Sequence, residues 1–262
     1  LSGEAAPYRL HFASWEQIPQ SGAAWEKVAR AEIVYLRAGT PAEKLRELQE
    51  RGLRLGLELP RALFGCEDIF AAHLKTARGL GIRDVWAGTL NAAALAREED
   101  AALRVHGGFG LNVFNTQSLE SLREIGLSDT EASFELTLAQ TAALGGTLPR
   151  GVLVYGRLPL MLTRCCPLQN GRDCAHCDKS GALTDRRGIL FPVRCFGSAS
   201  EVLNSVPLFL LDRLREVRNI AFVSLRFTVE NSVEIGEILT RFPKNSRPES
   251  DFTRGLSEKG VI

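Results

Sequence analysis

Long apolar runs are missing from this sequence. No uninterrupted hydrophobic stretch approaches the ~20 residues that cross a bilayer, and the N-terminus lacks the basic, apolar, small-residue order of a signal peptide. A soluble, cytoplasmic chain with no membrane partner is therefore expected. A dominant charge is missing too: 32 Lys/Arg against 31 Asp/Glu leave a net +1, which argues against nonspecific polyanion binding by the whole surface. Methionine is nearly absent. Its single copy is Met161, and the chain begins at Leu1, so the expectation is a piece cut from a longer polypeptide. Three catalytic signatures are also lacking. Without His-Glu-x-x-His, a nucleophile elbow or a Gly-x-Gly-x-x-Gly turn, the common metallopeptidase, serine hydrolase and dinucleotide-binding patterns have no anchor.

What is present is an alternation. Short β-rich runs and helical-period runs take turns for most of the 262 residues, the pattern of parallel strands joined by crossover helices. "AEIVYLRAG" (31–39) reads as a strand. In "TPAEKLRELQERG" (40–52) Thr40 suits an N-cap, Pro41 the first helical position and Gly52 the stop. Further strands are expected at 8–14, 53–60, 82–88, 108–115, 131–138, 151–156, 206–212 and 220–230, with helices at 67–80, near Ala92, at 140–144 and at 232–242. About eight or nine strands fit an α/β fold, a (β/α)8 TIM-like barrel in one domain over 1–262, with 156–197 as a long cysteine-bearing loop insertion. A doubly wound open sheet is the runner-up. Barrel chemistry gathers at the C-terminal strand ends. There the sequence places Glu58, Asn112, Asn115, Glu135, Arg157, Asp212 and Glu230, each of which also suits a cap or a loop hydrogen bond.

Four of six cysteines lie in "RCCPLQNGRDCAHCDK" (164–179). Dense cytosolic cysteines read as metal ligands or redox groups before disulfides. Cys174 and Cys177 form a Cys-x2-Cys pair, Cys166 precedes it by eight residues and Cys195 follows by eighteen. Soft thiolates on a loop suit zinc or an iron–sulfur cluster, and spacing does not separate the two. A reduced, unligated set is the bland reading. Cys165 points away from its neighbour in an extended loop, Cys66 reads as a small buried hydrophobe or a fourth thiolate, and His176 as a solvent-facing residue between the pair. From Gly156 to Cys195 seven Lys/Arg accompany three Asp. That is compatible with a local anion site or with a solvated loop.

The run "VLVYGRLPLMLTRCCPL", the Cys-x2-Cys pair, "LTDRRGILFPVRC", "LNSVPLFLLD" and "FTRGLSEKGV", in that order, resemble the C-terminal portion of long bacterial members of peptidase family U32, the collagenase-like family. "YRLHFASWEQIP" and "AEIVYLRAG" resemble the second barrel-like unit of those members more loosely. The resemblance implies an oxygen-independent hydroxylase acting on pyrimidines of transfer or ribosomal RNA, with relatives in ubiquinone synthesis. It implies a [4Fe-4S] cluster on Cys166, Cys174, Cys177 and Cys195, zinc being the alternative at the same cysteines, and prephenate as a co-substrate. An N-terminal U32 domain of the same protein would be a partner. RNA phosphates or a carboxylate would meet Arg157, Arg164, Arg186 and Arg187. Shorter relatives carry a cysteine where this chain has Pro159, so the fourth ligand stands open between Cys195 and Cys66. A collagenase-like peptidase and a non-catalytic, metal-stapled module are the alternatives.

Overall fold

The computed structural model describes residues 6–169, 177, 180–196, 198–216, 218–242 and 251–258. Eight parallel strands close on themselves: β1 (Tyr8–Phe12), β2 (Ile33–Arg37), β3 (Leu55–Glu58), β4 (Asp84–Ala87), β5 (Arg104–Gly107), β6 (Asp129–Glu131), β7 (Arg150–Gly156) and β13 (Phe222–Phe227). The β6–β7 pairing and the β7–β13–β1 pairings complete the circuit. This is the expected (β/α)8-type barrel. The open sheet is excluded by that closure.

Helices α1 (Gly22–Ala29), α2 (Ala42–Glu50), α3 (Glu67–Gly79), α4 (Leu90–Glu99), α5 (Thr116–Glu124), α6 (Leu138–Ala143) and α7 (Ser232–Arg241) follow successive strands. Their starts have local causes. Thr89, Asn115, Thr137 and Asn231 each cap a helix by accepting backbone N–H bonds, and the last three complete reciprocal capping boxes. Pro41 is itself the N-cap of α2, so the helix starts one residue later than expected, and Thr40 instead donates to the Arg37 carbonyl.

Strand alternation sorts the side chains. In β1, Leu10 and Phe12 join the apolar core, while Arg9 and His11 bond to residues across the barrel. The lumen is consequently polar and densely filled. Tyr35 occupies its middle because β3 offers glycine beside it: a Cβ on Gly56 would lie 2.5 Å from the Tyr35 ring. Toward the N-terminal end of the barrel, Arg9 forks onto Asp129 at 2.9 and 2.8 Å. His106 bridges Asp129 and Asp84, both at 2.9 Å. Both ring nitrogens face carboxylates, so both carry protons. Burial opposes this charge, but the two carboxylates raise the His106 pKa above its ordinary value.

Between β7 and β13 the chain builds a second sheet. β8 (Pro159–Thr163), β9 (Ser180–Thr184), β10 (Leu190–Cys195) and β11 (Ser200–Leu203) form an antiparallel sheet in the order β8-β11-β10-β9. A short strand β12 (Leu208–Phe209) then runs antiparallel to β7. The described residues of the expected insertion carry three of these strands, because "GALTDRRGILFPVRC" closes a hairpin around Asp185, whose side chain accepts the N–H groups of Arg187 and Ile189.

Two further expectations shift. The strand expected at 108–115 lies earlier, at 104–107, and Phe109–Leu111 forms a 3-10 turn closed by Asn112 at φ +51°. The strand expected at 131–138 is only Asp129–Glu131, after which Ala132, Leu136 and Leu144 make a separate apolar cluster. Both real strands carry lumen-facing polar residues that break the apolar pattern.

Candidate functional site

Four polar strand residues meet at the C-terminal mouth. His11 Nδ1 donates to Glu58 Oε2 at 2.8 Å, and Arg226 grips both oxygens of that carboxylate at 2.8 and 2.5 Å. Burial would raise the Glu58 carboxyl, yet Arg226 and His11 hold it down at about 2. Glu131 accepts the Phe109 N–H at 3.0 Å and lies 3.9 Å from His11 Nε2, which has no hydrogen-bond partner. Trp86 packs edge-on against His11, and its Nε1 is likewise unpartnered. The Arg226 guanidinium sits over the Trp86 ring at 4.9 Å.

The inserted sheet roofs this mouth. Glu201 of β11 meets Arg61 of the β3–α3 connection at 3.2 Å, Ser198 donates to the Ala62 carbonyl at 2.6 Å, and Arg37 at the end of β2 donates to the Cys195 carbonyl at 3.2 Å. Arg194, across the ladder from Glu201, is buried beneath the sheet. Burial lowers its pKa to about 9, and Arg37 and Arg226 push the same way.

Register brings three of the expected ligands to one end of the roof. Thr163 pairs with Ser200, Ser200 with Cys195, and Arg194 with Ser180. Cys166, three residues after Thr163, and Cys177, three before Ser180, therefore leave the sheet at the same end as Cys195. None of the three is in a disulfide. Cys166 and Cys195 are half-buried, Cys165 and Cys177 exposed. Cys174 and His176 lie outside the described residues, and among the described residues no cluster of three His, Cys, Asp or Glu is arranged around a metal. Cys66 is the N-cap of α3, in the same β3–α3 connection that the roof rests upon, which leaves it beside Cys195 as a candidate fourth ligand.

The arginines expected to bind anions are dispersed. Arg157 donates to the carbonyls of Asn204 and Ser205 and approaches Glu230 at 3.8 Å. Arg164 is exposed at the cysteine end, near the Phe64 ring. Arg186 and Arg187 are exposed on the β9–β10 turn, at the opposite end of the sheet. Most polar strand-end residues have structural partners: Asn115 caps α5, Asp212 pairs with Arg254, and Glu230 accepts the Thr228 and Val229 N–H groups. Glu58 alone of that set belongs to the mouth cluster. His11, Arg37, Glu131, Arg194, Glu201 and Arg226 complete it. Their only sequence signal is a charge inside an apolar strand, as in "YRLHF" and "FVSLRF".

This geometry can now be set beside known proteins. Two solved structures are similar to it in shape. One is a U32 peptidase, with a TM-score of 0.49 at 12% identity over 88% of this chain and 96% of that one. The other is N-(5'-phosphoribosyl)anthranilate isomerase from Pyrococcus furiosus, with a TM-score of 0.45 at 13% identity over 92% of this chain and all of that one. Neither likeness bears on chemistry. No family model and no curated protein sequence matches the chain.

Proposed function

We propose that this chain is a U32-type barrel of an iron–sulfur-dependent, oxygen-independent RNA hydroxylase, with Cys166, Cys174, Cys177 and Cys195 holding a [4Fe-4S] cluster at the edge of the roofed mouth. One observation supports the reading most directly. Strand register in the inserted sheet sends Cys166, Cys177 and Cys195 out of the same end, against the C-terminal ends of β2 and β3. Thiols outside disulfides are the donor set that such a cluster requires.

When bound, the cluster would supply electron transfer or an iron for substrate ligation. The chain's own contribution is positional. The Arg61–Glu201 and Ser198–Ala62 contacts hold the roof on the barrel above a mouth lined by His11, Glu58 and Arg226. Of the four arginines expected to meet anions, Arg164, exposed and next to Cys165, is the contact for RNA phosphate in this reading. Prephenate as oxygen donor and an N-terminal U32 domain as partner belong to the same reading.

Oxygen-protected protein tests it. Iron and sulfide at about four per chain with a broad visible band, lost in Cys174→Ser, is the expected result. Colourless protein with one zinc per chain would replace the cluster by a structural staple. Nucleoside profiling of RNA from a deletion strain rescued by cysteine variants tests the reaction. Full modification in every variant would overturn a catalytic cluster, and peptide cleavage lost in the same variants would put a peptidase in its place.

A further inference from the structure

We infer that the roof and the barrel mouth together hold a small oxyanion, a carboxylate or phosphate group, between Arg194 and Arg37. Four arginines, Arg37, Arg61, Arg194 and Arg226, converge here on three carboxylates. Arg226 takes Glu58 and Arg61 takes Glu201, while Glu131 accepts the Phe109 N–H. Arg37 and Arg194 are left without a carboxylate of their own.

Arg37 commits only Nη2, to the Cys195 carbonyl. Arg194 makes no hydrogen bond or ion pair to any described residue, although it is 8% exposed. Little of the Arg194 side chain meets water and no carboxylate is hydrogen-bonded to its guanidinium, an unfavourable setting that an arriving anion would relieve. Both groups lie against one ring: Arg37 is 4.5 Å and Arg194 5.5 Å from the centre of Phe196. Phe196, Arg37, Glu58 and Phe70 wall a small recess beside the Arg37 fork, and Arg194, which does not line it, approaches from the other contact of the Phe196 ring. Glu58 would repel an anion, but its oxygens are already held by Arg226 and His11. Two planar forks beside an aromatic wall suit the paired oxygens of a carboxylate or phosphate better than a halide.

The site does not depend on a metal at the cysteines, and the experiment separates the two. Sodium phosphate and sodium acetate are titrated at constant ionic strength, with chloride as reference, into wild type, Arg194→Met, Cys195→Ser and Arg186→Met. Calorimetry and thermal unfolding are read. One saturable oxyanion per chain is expected in wild type, Cys195→Ser and Arg186→Met, with affinity at least tenfold weaker in Arg194→Met. Arg194→Met should also unfold at a higher temperature than wild type in anion-free buffer, because its unpaired charge is gone. The tighter of the two probes names the oxyanion. Should Arg194→Met fail to fold, Arg37→Met takes its place in the same comparison. Equal binding in the arginine variant, or no saturable binding in wild type, would overturn the inference. Loss in Cys195→Ser would do so too, by assigning the arginines to thiolates.

Discussion

Arg226 and Glu58 are 168 residues apart and face each other across the barrel mouth, joined through both guanidinium Nη atoms and both carboxylate oxygens. β1 and β2 lie between their strands in the sheet, so the pair ties two separated staves of the barrel. Both side chains are buried. Removing one partner strands the other, which costs about 3–5 kcal/mol, whereas removing both costs less. Arg226→Met and Glu58→Gln should each lower the urea midpoint strongly, with the double variant more stable than the sum of the singles predicts. Additive losses in the double-mutant cycle would show that the two do not act as a pair.

His106 gives stability a pH dependence of definite sign. Its folded pKa is raised by Asp129 and Asp84. Its contribution is therefore fully present below about 6.5, the value of a free imidazole, and is lost as pH rises through the higher folded value. His106→Gln should cost about 2 kcal/mol at pH 6, the worth of charge-assisted hydrogen bonds. The difference from wild type should narrow as pH rises through the folded value. A gap independent of pH would mean that the buried ring is neutral.

Glu58 gives the opposite sign. Its carboxyl is held at about 2, so its contribution is present above the ordinary carboxylate range and is lost as pH falls from about 4.5 toward 2. Acid unfolding of Glu58→Gln should accordingly be shallower than that of wild type over this window. Coincident slopes would remove Glu58 from the acid transition.

Gly108 marks how tightly the mouth is packed. A Cβ there would lie 2.0 Å from the Trp86 ring, so Gly108→Ala should destabilise by about 1–3 kcal/mol, the usual cost of overpacking. Trp86→Phe in the same chain should recover part of that loss by freeing the space. A Gly108→Ala variant as stable as wild type would mean that Trp86 moves easily.

Under the proposed cluster, the choice of fourth cysteine ligand can be read from metal retention. Cys195 ends β10 in the roof, while Cys66 is the N-cap residue of α3. Cys195→Ser should lose bound metal and Cys66→Ser should keep it, measured by metal analysis after desalting. The reverse result would move the site to the barrel–roof boundary.

Much of the barrel was legible along the chain. β2, β3, β4, β7 and β13 announce themselves as apolar runs, and α2, α3 and α7 as helical-period runs, because core contact on the helix-facing side selects apolar residues. β5 and β6 were displaced in the reading for a physical reason. "RVHG" and "DTE" spend their lumen-facing positions on His106, Asp129 and Glu131, leaving too few apolar residues to register as strands. The hairpin at 180–195 was hidden behind the arginines of its turn. The cysteines stood out by density, yet their spacing said nothing of which end of a sheet they would share.

Local chemistry by itself determined where strands and helices alternate, hence an α/β fold of parallel strands, because periodicity and caps act over a few residues. Tertiary structure alone decided that an inserted sheet covers the mouth and that His11, Glu58, Arg226, Arg37 and Arg194 gather beneath it. Those groups come from β1, β2, β3, β13 and the insertion, and no short-range pattern encodes a meeting between segments so distant. Their company is set by ring closure and strand register, which emerge only when the whole chain has folded.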